Sequence, residues 1–410
     1  MKMSTEPQAL QRFSLSGATM GTRFSAVLYG ASDLDLADLT AQLQLAVDQV
    51  DQQMSTWKPD SDLMQLNAAV CGEWLSVPEQ LLWVLISALR ISEDSAGAFE
   101  IGVGALVNAC GFGPQPAAAA LPGKQPSARA VLEIDPGNCR VRKHAPVTLD
   151  LNGIAKGFAV DQLARCLDRN GLASYLVGID GEMRAKGVKG GGSDWRIALE
   201  KPVKGRREVL GSLELSNTAI ATSGDYRHWR EREGLVFSHT MDPHTGAPLS
   251  SVLASVSVLC TSCMYADAWA TALMVLGVQR GAVAALFALL PLHQAHQAQV
   301  GFVRTVVVQL HPHLFDGAVG VHAPAQAARH RAAPVADGGA ALRVRQARGE
   351  GGGDQQMAAA YRQARHACSL REGLRYNAIL TGADDRDRPG TAGVHPGAEG
   401  RWRAHLSRIN

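Results

Sequence analysis

Apolar and polar positions alternate with a period of two near the start of the chain. Phe13 and Leu15 alternate with polar neighbours, residues 17–21 read as a turn, and Phe24, Ala26 and Leu28 alternate on the return. This pattern predicts a β-hairpin over residues 11–30 with one buried face. The period then changes to 3.6. Leu36, Leu39, Leu43, Val47, Val50 and Met54 share one face of a helix over residues 35–54. Residues 54–67, MSTWKPDSDLMQLN, read as a loop, with Trp57 exposed beside Lys58-Pro59, because the neighbourhood of a proline rarely continues a helix. An aromatic on such a loop is either a packing lid or a stacking platform. Ser76, Pro78 and Glu79 read as N-cap, proline and first-turn acid of a second helix, whose buried stripe is Leu81, Leu82, Leu85, Ala88 and Ile91. Residues 97–114, GAFEIGVGALVNACGFGP, set glycines around a short apolar strand. That is either a turn region or a place where backbone approaches a ligand closely. Residues 116–126 form an Ala/Pro-rich linker or insertion.

Residues 147–171 predict a strand ending at Asp150-Leu151, a turn at Asn152-Gly153, and a helix that starts with Ala155, Lys156 and Gly157 and stops at Asn170-Gly171. From Ser174 the chain is rich in strands: SYLVGID, WRIALE, EVLGSLEL, TAIAT, VFSHTM and VLASVSVL, separated by glycine-containing turns. Short consecutive strands favour antiparallel pairing, and helices precede and follow the set. The expected class is α+β, mainly antiparallel sheets flanked by helices, in a single catalytic domain. An Ala-rich helix after the last strand carries Asp267 and Thr271.

Composition changes this picture mainly at the C-terminal end. The 410 residues carry a formal net charge of +2, too small to imply nucleic acid as a partner. Residues 279–410, however, hold 16 Arg against 9 Asp/Glu, no Lys, and nine of the 13 His. With few aromatics and no sustained period, residues 311–410 read as a disordered, low-complexity tail or the translation of a shifted reading frame. The expected domain therefore spans residues 10–280 and extends at most to about 310. Seven scattered cysteines argue against a disulfide framework, and the lone Cys260/Cys263 CxxC pair reads as two half-buried thiols. No apolar run reaches the ~18 residues of a membrane span. No secretory signal is visible at the N-terminus, so the expected location is cytoplasmic, with the periplasmic face of the inner membrane as the alternative.

Three local patterns carry chemistry. Asp267 and Thr271, four apart on a helix, share one face, and a carboxylate and a hydroxyl so placed suit a hard cation such as Mg²⁺. The competing reading is a solvated carboxylate and a packed threonine. Lys156 among glycines at a helix N-terminus makes an anion site or, equally, a plain strand-turn-helix with an exposed lysine. His239 ends a strand just before the Asp-Pro-His-Thr-Gly turn.

Taken together and in order, these stretches resemble the ApbE family of flavin transferases. The motifs are Met20-Gly-Thr, Met54-Ser-Thr-Trp57, Gly97-Ala-Phe-Glu100 through Gly111-Phe-Gly113, Asp150-Leu-Asn-Gly-Ile-Ala-Lys-Gly157 with Asp161, Gly181-Glu182, Ala221-Thr-Ser-Gly-Asp-Tyr226, Ser238-His239 with Asp242-Pro243, and Ala266-Asp-Ala268 with Thr271-Ala272. The resemblance covers roughly residues 10–280. It implies a T-fold-like domain that uses Mg²⁺ and moves FMN from FAD onto a Thr or Ser hydroxyl of an acceptor flavoprotein, with release of AMP. A metal-dependent FAD pyrophosphatase and a non-catalytic FAD binder are the alternatives. It further implies that Asp267, Thr271 and the Ala155 carbonyl hold the metal. By the same resemblance, Met20, Trp57, Ala98, Phe99, Glu100, Asp150, Lys156 and Thr240 would line the FAD site, and His239 would assist the acceptor hydroxyl.

Overall fold

A computed structural model describes residues 10–117, 121–123, 125–203, 205–226, 229–232, 235–250, 253–288, 303–310 and 378–381. The hairpin is β1 (Gln11–Thr19) and β2 (Thr22–Gly30), followed by α1 (Leu36–Met54), α2 (Asp62–Ala68), β3 (Trp74–Ser76), α3 (Glu79–Asp94), α4 (Gly104–Ala109) and α5 (Ala128–Val131). Next come β4 (Leu132–Asp135), β5 (Arg140–Lys143), α6 (Ala155–Arg169), β6 (Ser174–Ile179), β7 (Glu182–Lys186), β8 (Trp195–Glu200), β9 (Val209–Leu215) and β10 (Thr218–Gly224). The remainder is β11 (Trp229–Arg232), β12 (Leu235–Ser238), β13 (Met241–Asp242), β14 (Ala247–Pro248), β15 (Leu253–Cys260), α7 (Cys263–Ala288), β16 (Val303–Leu310) and β17 (Ala378–Thr381).

The main sheet runs β1-β2-β6-β7-β10-β15-β16-β17 and is antiparallel except for the parallel β16–β17 pair. Alternation along its strands serves two cores. Phe24, Ala26 and Leu28 of β2, Tyr175, Val177 and Ile179 of β6, and Val256 and Val258 of β15 pack with α1, α3, α6 and α7. Val27, Tyr29, Leu176 and Ile220 point the other way, onto Trp195, Ile197 and Leu215 of the β8–β9 hairpin. The sheet is thus a middle layer, with helices on one face and a two-stranded sheet on the other. This is the expected α+β architecture. Among the described residues, no helix is long and apolar enough to cross a membrane.

Several local expectations need correction. The hairpin turn is only Met20-Gly21, both at positive φ (46° and 70°), while Gly17 still pairs with Phe24 inside the ladder. A two-residue turn with both φ positive matches the strand twist. The loop read over residues 54–67 contains α2, which Ser61 caps by accepting the Met64 N–H at 3.1 Å. Ser76 ends β3, and α3 starts at Glu79 with no side-chain cap. The apolar strand expected within residues 97–114 is instead a 3-10 turn (Ile101–Val103) running into α4. The strand expected up to Leu151 is an extended segment without a ladder. Its Leu149 N–H and carbonyl are taken by the Asn67 side chain (2.7 and 3.0 Å), and the Asp150 N–H goes to the Ile101 carbonyl. VFSHTM is interrupted at His239-Thr240, where the Thr240 N–H turns back to Ser238 Oγ at 3.1 Å. Beyond Gly277, where φ is 69° and α7 breaks, β16 pairs along β15. The disorder expected of residues 311–410 concerns positions outside those described, apart from Ala378–Thr381.

Candidate active site

A cleft of about 770 Å³ opens between the helical layer, the middle sheet and the β8–β9 hairpin. All twelve residues singled out above line it: Met20, Trp57, Ala98, Phe99, Glu100, Asp150, Ala155, Lys156, His239, Thr240, Asp267 and Thr271. They come from six separate stretches of chain, so their convergence is a product of the fold.

The centre is the contact between α6 and α7. Asp161 of α6 reaches the start of α7, where its carboxylate accepts the N–H groups of Cys263 (3.0 Å) and Met264 (3.1 Å) and the Ser262 hydroxyl (2.7 Å). It also pairs with Arg184 of β7. One buried carboxylate therefore serves as a capping group supplied from another helix. Gly157 lets the two helices close. A Cβ there would strike the Cys263 carbonyl and come within 2.8 Å of Asp267 Cβ. The Gly157 N–H then donates to Asp267 Oδ2 at 2.9 Å. Asp267 is only 4% exposed. Burial pushes its carboxyl up to about 7, and the Glu182 carboxylate adds to this while Lys156 and the Gly157 N–H oppose it.

One turn along α7, Thr271 Oγ1 sits 3.1 Å from Ser223 Oγ of β10. Gly153 leaves room beside it, since a Cβ there would lie 3.2 Å from that same oxygen and 3.3 Å from the Phe99 ring. Lys156, at the first turn of α6, pairs with Glu182 (3.0 Å) and lies 3.6 Å from Asp180. Burial alone lowers an ammonium's pKa, but Glu182, Asp267 and Asp180 outweigh it and hold Lys156 firmly charged. Asp180 and Gly181 form the two-residue turn between β6 and β7, with Asp180 at φ 56°.

The remaining residues form the walls. Asp150 is 8% exposed and accepts the Asn152 N–H (2.8 Å) and side-chain amide (3.0 Å). Burial raises its pKa against those two bonds. Phe99 is buried, its N–H held by Ser95 Oγ at 3.0 Å. The Glu100 carboxylate is occupied structurally by the N–H groups of Gly102 (2.7 Å) and Ala128 (3.0 Å) and by the Ser127 hydroxyl (2.6 Å). Trp57 is 61% exposed, beside Lys58, which pairs with Asp51 at 2.7 Å. The His239 ring meets Phe112 edge-on, with centroids 6.3 Å apart. Residues 242–246 are fixed against the Gly97 loop by His244 Nε2, 3.1 Å from the Ala96 carbonyl. Glu182, Asp161 and Ser223 stand in the sequence motifs without a role that local pattern reveals. A Glu directly after a turn glycine looks like a solvated strand end, and only the fold brings it to Lys156.

Among the described residues no three His, Cys, Asp or Glu side chains converge as a metal site. What is present is all oxygen: the Asp267 carboxylate, the Thr271 and Ser223 hydroxyls, and the backbone at Ala155. That set suits Mg²⁺, which takes one or two carboxylates and completes its shell with water and substrate phosphate, and it is unsuited to zinc.

The ApbE family profile matches residues 20–288. The chain belongs to the ApbE family. A Vibrio cholerae FAD:protein FMN transferase is 38% identical over 278 residues, 66% of this chain and 83% of the relative. The Escherichia coli K12 FAD:protein FMN transferase is 35% identical over 276 residues, 65% of this chain and 79% of the relative. Among solved structures, the flavin transferase ApbE from Vibrio cholerae superposes with a TM-score of 0.61 at 37% identity, covering 67% of this chain and 90% of that one. The apo flavinyl transferase ApbE of Pseudomonas stutzeri gives 0.59 at 34% identity, covering 68% and 90%. In this ApbE chain the matched span ends at Ala288, the last residue of α7.

Proposed function

We propose that this ApbE-family chain is an FAD:protein FMN transferase, which uses FAD as donor and a Thr or Ser hydroxyl of a partner flavoprotein as acceptor. The observation that carries the reading is the meeting of Asp267, Thr271, Lys156 and His239 in one cleft that also offers Phe99 and Trp57 as ring-sized apolar walls. The acceptor oxygen forms a bond to the FMN phosphorus, the bond to the AMP oxygen breaks, and AMP leaves with the electron pair. His239 takes the hydroxyl proton as general base. Lys156 and the α6 N-terminus carry the phosphate charge, since phosphoryl transfer needs neutralisation and alignment more than covalent help. Mg²⁺, held by Asp267, Thr271 and the Ala155 carbonyl, would supply further neutralisation at the pyrophosphate.

Chromatography of reactions with FAD and Mg²⁺, with and without acceptor, tests this. Release of AMP that depends on the acceptor, without free FMN, is the expected result. Equal AMP and FMN in the absence of acceptor would mean that water is the nucleophile and would overturn the transferase reading.

A further inference from the structure

Strand β8 forms part of the cleft wall in an unusual way. Four consecutive residues, Ile197, Ala198, Leu199 and Glu200, all line the cleft, and no residue of β9 does. Side chains on a strand alternate between faces, so four in a row can line a cavity only if the backbone edge itself is the wall. On its other side β8 is paired with β9 from Trp195↔Leu215 to Glu200↔Val209. Among the described residues no strand pairs with its cleft-facing edge. An edge of this kind is a template for a further strand, yet here it is sheltered inside the active cleft.

We propose that this edge receives the acceptor: an extended segment of the partner protein adds to β8 as a strand and so delivers its hydroxyl residue into the cleft. The proposal rests on the transferase reading and specifies how its protein substrate is bound. Alternating N–H and C=O groups at strand spacing complement a peptide backbone, giving affinity from main-chain hydrogen bonds and selectivity from alternate side chains. Four edge residues span about 13 Å, room for the hydroxyl residue and its immediate neighbours.

The test uses the full chain with FAD, Mg²⁺ and a flavin-accepting redox subunit as probe. Hydrogen exchange read by mass spectrometry should show amides within residues 196–200 slowed about tenfold or more by the acceptor, and left unchanged by FAD and Mg²⁺ alone. Protection by FAD alone would give the edge to the nucleotide. No protection by an acceptor that is being labelled would put docking elsewhere. Either result overturns the proposal. Ala198→Pro and Leu199→Pro provide a second readout. N–H groups alternate along the strand, so one variant removes a cleft-facing donor and the other a bond to β9, and thermal melts tell them apart. The variant that keeps its fold should lose about tenfold in acceptor labelling for the hydrogen bond removed at unchanged FAD affinity. Unchanged labelling would sink the inference. Failure of the unmodified chain to label any acceptor would sink the transferase reading, and this inference with it.

Discussion

Asp267 buries a carboxylate beside Glu182, with Lys156 and the Gly157 N–H to offset it. The folded carboxyl titrates near 7, the unfolded one near 3.8. Between those values the folded state holds a proton that the unfolded chain has released, so metal-free stability falls as pH rises through this window and levels off above it. Asp267→Asn removes that burden. At pH 8 the metal-free variant should melt higher, by about 2–4 °C, while losing Mg²⁺-dependent turnover. A variant that melts lower and still turns over would refute both the electrostatic reading and the metal assignment. Proton and metal compete for one carboxylate, so Mg²⁺ affinity measured by calorimetry should fall about tenfold per pH unit below 7. His239→Ala should retain FAD binding and slow transfer by roughly 10²–10⁴. Parallel losses in binding and rate would make His239 a wall of the flavin site instead. At this scale the chemistry was legible where it was local. Asp267 and Thr271 sit four apart on one helix, and Lys156 opens another. The counter-charges were hidden because Glu182 and Asp180 reach Lys156 across a turn between two strands.

The α6–α7 pair positions that chemistry, and two residues with no part in the reaction hold it. Gly157→Ala would drive a methyl against the Cys263 carbonyl and Asp267 Cβ, and should cost about 1–3 kcal/mol together with a weaker response to Mg²⁺. Denaturant melts with and without the ion measure both. A neutral effect on each would mean that the helices separate without consequence. Asp161→Ala removes the cap of α7 and leaves Arg184 without its carboxylate. A loss of at least 1 kcal/mol is expected, the usual worth of a cap. Elements with long regular patterns were readable, α1 and the buried stripe of α3 among them. Those governed by a single local cue were not. Pro59 argued for a loop where Ser61 in fact caps α2. The apolar residues around Ile101 suggest a strand where the chain makes a 3-10 turn. Residues 147–151 have strand composition, but Asn67 and Ile101 take their hydrogen bonds.

At the scale of the whole molecule the cleft exists because three layers meet: helices, an antiparallel sheet and the β8–β9 hairpin. Periodicity identifies the faces of these layers but not which strand edge ends up inside a cavity, so β8 was invisible as a wall until the fold was known. The addition of β16 to β15 was equally hidden, since residues 289–302 carry no pattern linking it to the sheet. A chain ended after Leu310 keeps β15 and β16 together and retains every lining residue of the cleft, so its turnover should match that of the full chain. A marked loss would assign the later residues a part in the active domain. The central claim, that this cleft transfers FMN to protein, is tested most directly by the intact mass of an acceptor flavoprotein incubated with the enzyme, FAD and Mg²⁺. The account predicts an acceptor heavier by one FMN phosphoester, attached at a single Thr or Ser, and absent when Asp267 is replaced by Asn. An acceptor of unchanged mass while FAD is consumed to AMP and free FMN would contradict it.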